Sequence, residues 1–128
     1  NEKLTFEEAI QEEMEFLSKN SFLETVNRFR SYLTKGVYVN QIIQWLEIFP
    51  RDQFHFLSIE QMKSEPVDTL NQIFKFLSIP NYNIPTPQRR KVANYKKMND
   101  RTREQLIEYY KPHNEKFFET IKQKFEWN

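Results

Sequence analysis

Gln53-Phe54-His55-Phe56-Leu57-Ser58-Ile59 is the stretch on which the reading of this 128-residue sequence turns. It is short, aromatic and preceded by turn residues, Pro50 and Arg51-Asp52, and such a run is predicted to form a β-strand. Its apolar side chains fall on both faces, interrupted only by His55 and Ser58, which is the pattern of a strand buried within a parallel sheet. No other stretch reads convincingly as a strand. A lone strand leaves its backbone N–H and C=O groups without partners, so its neighbours are expected to lie outside this sequence.

Working outward, the flanking segments read as helices. On the N-terminal side Thr5 is a predicted N-cap with Glu8 three residues on, the capping-box spacing. Phe6, Ala9, Ile10, Met14 and Leu17 then repeat at helical intervals. Asn20-Ser21 breaks that helix, and Phe22, Val26, Phe29 and Leu33 predict a second one over 22–33. Thr34-Lys35-Gly36 is a turn. Tyr38, Gln41, Ile42, Trp45, Leu46 and Phe49 share one stripe of a further helix that ends at Pro50. Trp45, Phe49, Phe74 and Leu77 are expected in the core. Beyond the strand, Ser64-Glu65-Pro66 starts a helix with proline in its first turn. Its apolar face is Val67, Leu70, Ile73, Phe74 and Leu77. A proline-rich loop follows, then an irregular basic segment over 89–98. Asn99 caps a helix to about Tyr110, and Pro112 is expected to kink or restart it before Phe117, Phe118 and Ile121. The predicted class is mostly α with a single short strand, in one domain over residues 1–128.

Composition narrows the chemistry. Aromatic residues make up 16% of the chain, enough apolar area for a compact core despite its small size. The absence of cysteine excludes disulfides, thiolate zinc sites and a thiol nucleophile, and goes with an expectation of a cytoplasmic setting. No apolar run is long enough for a membrane span. Net charge is only +1, which argues against nucleic acid, and Tyr95 is the only aromatic within the basic segment. That charge is uneven. Acidic residues crowd positions 1–24, whereas Arg89, Arg90, Lys91, Lys96, Lys97, Arg101 and Arg103 face only Asp100 over 89–103. A basic segment in a near-neutral chain points to a focused anion site. Gly36 is the only glycine, so no glycine-rich phosphate loop is present, and any nucleotide site here must rely on side chains or be incomplete.

Three stretches, taken in order, resemble the sulfotransferase superfamily, its bacterial and heparan-sulfate members in particular. One is Gly36-Val37-Tyr38 with Gln41, Trp45-Leu46 and Phe49-Pro50. Another is Phe54 to Ser58 with Glu60, Glu65-Pro66, Leu70 and Phe76-Leu77-Ser78-Ile79-Pro80. The last is Thr102-Arg103, Leu106, Tyr109-Tyr110-Lys111-Pro112-His113-Asn114 and Phe125-Glu126-Trp127. The opening Leu4-Thr5-Phe6-Glu7-Glu8-Ala9-Ile10 also resembles the segment after that family's 3′-phosphate-binding helix.

The resemblance implies the C-terminal portion of a P-loop-like α/β fold, with most of the parallel sheet and the N-terminal half missing from this sequence. It implies 3′-phosphoadenosine 5′-phosphosulfate (PAPS) as co-substrate, no metal, and a carbohydrate or small-molecule acceptor whose hydroxyl or amine receives the sulfuryl group. The family's donor loop and catalytic base precede the stretch matched here, so no catalytic residue is assigned. This chain's share would be a lid over the nucleotide and one wall of the acceptor cleft. The family's C-terminal basic loop corresponds to Arg90-Lys91-Val92-Ala93-Asn94-Tyr95. Lys91 fits its Lys-Gly-Arg pattern, while Val92 and Ala93 depart from it. Arg90, Lys91, Asn94 and Tyr95 are thus the expected nucleotide contacts, and Tyr38 and Gln41 the expected acceptor contacts.

Each assignment has a plainer counterpart. The basic loop is otherwise a solvated surface, and Tyr38 otherwise begins a core stripe. His55 reads as a core histidine on a strand. His113-Asn114 reads as a capping and packing pair, because one histidine without further ligands makes a poor metal site. Glu7-Glu8 and Glu12-Glu13 read as a solvated helix face. The competing function class is a non-enzymatic helical protein-interaction module.

Overall fold

The computed structural model of the protein describes residues 4–21, 24, 31–82, 85 and 97–127. The chain divides into two compact units, one of Asn1–Glu47 with Lys97–Asn128 and one of Ile48–Lys96. The predicted helix over 22–33 lies outside the described residues except at 24 and 31–33, and Ser31, Tyr32 and Leu33 are not helical.

In the discontinuous unit, α1 spans Phe6–Leu17. Its capping box forms as the spacing predicts. The Thr5 hydroxyl accepts from the Glu8 N–H, and the Glu8 carboxylate accepts from the Thr5 N–H at 2.8 Å. Donation to that carboxylate from the Thr5 N–H, and from the Thr5 hydroxyl at 2.9 Å, holds the exposed Glu8 carboxyl below its ordinary pKa. Ser21 and Glu24 repeat the same reciprocal pairing. A 3₁₀ turn, Thr34–Gly36, leads into α2, Tyr38–Ile48. The core of this unit is Ala9 and Ile10 of α1, Leu33, Val37, Val39, Phe117, Ile121 and Phe125. Among the described residues these are all of the fully buried apolar side chains.

Phe117 and Ile121 belong to the longest helix. It runs unbroken over Asp100–Ile121, with Asn99 as N-cap accepting from the Arg101 N–H at 2.9 Å. The expected restart at Pro112 is corrected: the helix runs on through the proline. Proline removes one backbone donor, but Pro112 and Glu108, whose carbonyl loses that donor, are both exposed, so water can take the bond's place. The helix ends at Lys122 in the left-handed conformation, where the Gln123 N–H bonds back to Phe118 O at 3.2 Å. That reversal folds the tail onto the helix. Trp127 then stacks on Phe117 at 5.6 Å and packs on Phe118 at 5.2 Å and Phe125 at 5.3 Å.

In the contiguous unit, a 3₁₀ turn at Arg51–Gln53 precedes the decisive segment. The predicted strand is corrected. Phe54 and Ser58 have extended backbone, but no strand pairing forms among the described residues. Alternation still marks the extended conformation: Phe54 and Phe56 stack on one another at 6.1 Å, whereas His55 stacks on Phe76 at 5.1 Å. His55 is exposed there and is no core residue. Ile59, read as the strand's last residue, opens a helix instead. α3 spans Ile59–Ser64, and Ser58 caps it in a box with Gln61. α4 follows over Pro66–Phe76 with proline at its start, as predicted, and Thr69 buries its hydroxyl against Glu65 O at 2.7 Å.

The core assignments for Trp45, Phe49 and Leu77 are also corrected. Trp45 is 53%, Leu77 54% and Phe49 40% exposed. Helical spacing identifies an apolar stripe, but burial requires a facing element, and the described residues do not cover these stripes. Ile48, at 71% exposed, and Ile59, at 60%, extend the same pattern. No helix among the described residues is long and apolar enough to cross a membrane.

Candidate functional site

Of the residues expected to bind ligand, Arg90, Lys91, Asn94 and Tyr95 lie outside the described residues. Tyr38 and Gln41 are described, and Gln41 is held by the turn before it. Gln41 Nε2 donates to Lys35 O at 3.2 Å. The half-exposed Tyr38 ring leans on Phe117 at 6.1 Å and on Trp127 at 5.9 Å. Lys35, Tyr38 and Gln41 are all exposed and within seven residues of sequence, so the turn offers an ammonium, a phenol and an amide to solvent.

What fixes that turn is a carboxylate that sequence reasoning placed on a solvated face. Glu13 is only 2% exposed. One of its oxygens accepts from the N–H groups of Tyr32 and Leu33, the latter at 2.9 Å. The other accepts from the Thr34 N–H and from Thr34 Oγ1, both at 3.1 Å. Burying a carboxylate is costly unless its lone pairs are filled, and four donors fill them. The signal for this was in the register: Glu13 lies three and four residues after Ile10 and Ala9, on the helix face that they bury. Its acidic neighbours disguised it.

The same four donors exclude one role. Successive backbone N–H groups converging on a point form an anion cradle of the kind that grips phosphate. Here the cradle over Tyr32–Thr34 is filled by the chain's own Glu13, so no nucleotide phosphate binds at it.

A second anchor comes from the longest helix. Tyr110 Oη donates to Leu33 O at 2.9 Å, and the Gly36 N–H donates to the same carbonyl at 3.0 Å. Leu33 is therefore held at its N–H by Glu13 and at its C=O by Tyr110 and Gly36. The lone glycine is explained by space. A Cβ at Gly36 would stand 2.5 Å from Tyr110 Oη and 2.9 Å from the ring. Gly36→Ala is expected to cost about 1–3 kcal/mol by forcing the ring off Leu33 O, measurable by urea denaturation of the variant beside the wild type.

Tyr110 also predicts a pH dependence. Burial first, then the charges of Tyr109, Glu13 and Tyr38, push its phenol up to about 12 from the ordinary 10.0. The folded state therefore holds this proton more tightly than the unfolded chain does. The resulting stability is complete below about pH 10 and is lost as pH rises towards 12. The thermal midpoint is expected to fall across that interval, and Tyr110→Phe should flatten part of the fall. Burial and Glu13 raise Tyr109 in the same direction. His113 leans on Tyr109 at 5.3 Å, and burial, followed by the Lys116 charge, holds it below its usual range. Among the described residues no group of His, Cys, Asp and Glu is placed to hold a metal ion.

A sequence model of the Sulfotransferase domain family matches residues 3–126. Three curated relatives are similar to the chain. The membrane-associated sulfotransferase kil1 of Dictyostelium discoideum is 32% identical over 95 residues, 74% of this chain and 20% of its own length. Carbohydrate sulfotransferase 15 of Nototodarus sloanii is 28% identical over 63% of this chain and 58% of its own length. Heparan sulfate glucosamine 3-O-sulfotransferase 5 of Mus musculus is 31% identical over 43% of this chain and 16% of its own length. The chain thus spans between about a sixth and three fifths of the length of these relatives. No solved structure matches it significantly.

Proposed function

Because the chain belongs to the sulfotransferase family, we propose that it is the C-terminal part of a P-loop-like domain that moves a sulfuryl group from PAPS to an acceptor hydroxyl or amine. The observation that carries this reading is the family match across residues 3–126. The extended backbone at Phe54 and Ser58 supports it, as a segment shaped to join a sheet supplied by the N-terminal half of the domain. The exposed Ile48, Ile59 and Leu77 support it in the same way, as apolar surface awaiting a cover.

In the reaction, the bond from sulfur to the bridging phosphate oxygen breaks as a bond from the acceptor oxygen or nitrogen to sulfur forms. The acceptor's proton passes to a base supplied by the N-terminal half, and 3′-phosphoadenosine 5′-phosphate leaves. Charge grows on the bridging and sulfuryl oxygens, so positioned cations lower the barrier. Arg90 and Lys91 supply such charges as a lid over the nucleotide, with Asn94 and Tyr95 beside them. Glu13 fills the backbone cradle at Tyr32–Thr34, so that cradle leaves the phosphates to side chains such as those of this basic segment. Tyr38 and Gln41 form part of the acceptor wall. The relatives' names favour a carbohydrate acceptor. A cytoplasmic location belongs to the same proposal and is checked by fractionation.

The test uses the full-length protein. It should bind 3′-phosphoadenosine 5′-phosphate in a calorimetric titration, and Lys91→Glu should weaken that binding about 10- to 100-fold. Unchanged affinity removes Lys91 from the site. No binding by the wild type, with no transfer of label from PAPS to desulfated heparin, leaves the exposed apolar surface to the second reading, an interaction module without chemistry.

A further inference from the structure

We infer that Glu13 and Tyr110 are positioning residues for the acceptor: they hold the Tyr32–Val37 turn so that Lys35, Tyr38 and Gln41 present their polar groups in one fixed arrangement. This rests on the reading above for the reaction, but the fixing itself stands on the geometry alone.

The observations converge on one short backbone stretch. Four donors from Tyr32, Leu33 and Thr34 end on one buried carboxylate. Leu33 O takes the Tyr110 hydroxyl, and the Val37 N–H closes the turn on Thr34 O at 3.2 Å. Leu33, Thr34 and Val37 are fully buried, whereas Lys35, Tyr38 and Gln41 on the same short stretch are exposed. A turn that served stability alone would gain nothing from exposed residues whose orientation it also sets. Two of them it does set: Lys35 O is the acceptor for the Gln41 amide, and Tyr38 follows the turn directly against Phe117 and Trp127. Lys35 adds a charge suited to an acceptor that carries carboxylate or sulfate, so the ligand favoured at this wall is an anionic sugar chain. Gly36 belongs to the same device, because only a residue without Cβ admits the Tyr110 ring.

The test is made in the full-length protein with PAPS as donor and desulfated heparin as acceptor. Tyr110→Phe removes one hydroxyl and keeps the ring. It should raise the KM for desulfated heparin about tenfold and leave kcat and the KM for PAPS within about twofold. Glu13→Gln should act in the same direction and further. A lower thermal midpoint with an unchanged heparin KM would mean that both residues are structural only, and the proposal falls.

A readout independent of catalysis is the ¹⁹F resonance of Trp127 in protein carrying 5-fluorotryptophan, assigned with Trp127→Phe. Tyr38 lies against Trp127, so a turn released by Tyr110→Phe should move that resonance while far-ultraviolet circular dichroism stays the same. An unmoved resonance overturns the positioning role even if the wild type sulfates nothing, and a moved one supports it only together with the raised heparin KM. Should Glu13→Gln fail to fold, Tyr110→Phe decides the matter alone.

Discussion

Replacing Glu13 with alanine is expected to destabilise the protein by about 3–5 kcal/mol. The carboxylate is the acceptor for the Leu33 and Thr34 N–H groups and for Thr34 Oγ1, all on residues with almost no exposure. Each stranded donor costs roughly 1–3 kcal/mol, and the vacated side-chain volume adds a cavity term. The Tyr32 N–H contributes less, because Tyr32 is 42% exposed and water can reach it. Some entry of water to the other donors keeps the total below a plain sum. Glu7→Ala, on the exposed face of the same helix, is the matched control, with an expected loss of about 0.5 kcal/mol from the helix dipole. Urea denaturation of the two variants measures the contrast. A loss under about 1 kcal/mol for Glu13→Ala would mean that water replaces the carboxylate and that the clasp is energetically idle.

Phe117→Ala should cost a similar amount, about 3–5 kcal/mol. Its ring is buried and stacks on Trp127 at 5.6 Å, with Phe118 at 6.0 Å and Tyr38 at 6.1 Å. Removing it opens a space between α2 and the tail that rigid rings refill poorly. Because Tyr38 and Trp127 both rest on it, the variant should also disturb the residue proposed for the acceptor. Phe117→Leu retains most of the volume and should be markedly milder. Near-equal stability of Phe117→Ala and wild type, by the same denaturation, would show that the ring cluster repacks at little cost.

Much of this architecture was legible in the sequence because it is written locally. Thr5 with Glu8 and Asn99 with Arg101 start helices through bonds three and two positions apart, and Pro66 starts one through its fixed φ, so each signal lies within a few residues. The strand was misread for the converse reason. Aromatic and β-branched content marks an extended backbone, which Phe54 and Ser58 have, but a strand is a relation between segments. The apolar run also hid the Ser58-x-x-Gln61 capping box, so α3 was absorbed into its last residue. Pro112 reads as a kink or a restart because proline removes a donor, and the restart does not occur. In a long helix at an exposed position, the remaining bonds and solvent outweigh that loss.

The candidate site was less legible. Tyr38 and Gln41 are expected at the site by resemblance alone, and the basic loop falls outside the described residues. Glu13 was hidden because its partners begin 19 residues downstream. Gly36 and Tyr110 face each other across most of the chain, where no spacing rule reaches. The family match, by contrast, agrees with the resemblance seen in three weak motifs in order.

The two anchors on Leu33 differ greatly in how far along the chain they reach, and this bears on the order of assembly. The Glu13 bond to the Leu33 N–H joins residues 20 apart, whereas the Tyr110 bond to the Leu33 carbonyl joins residues 77 apart. Closing the longer loop costs about 1.2 kcal/mol more chain entropy. The short loop should therefore zip first and shape a seat for the phenol, leaving the tyrosine latch to engage late on the way to the native state. Breaking that latch would then chiefly hasten unfolding, whereas breaking the carboxylate clasp would also slow folding.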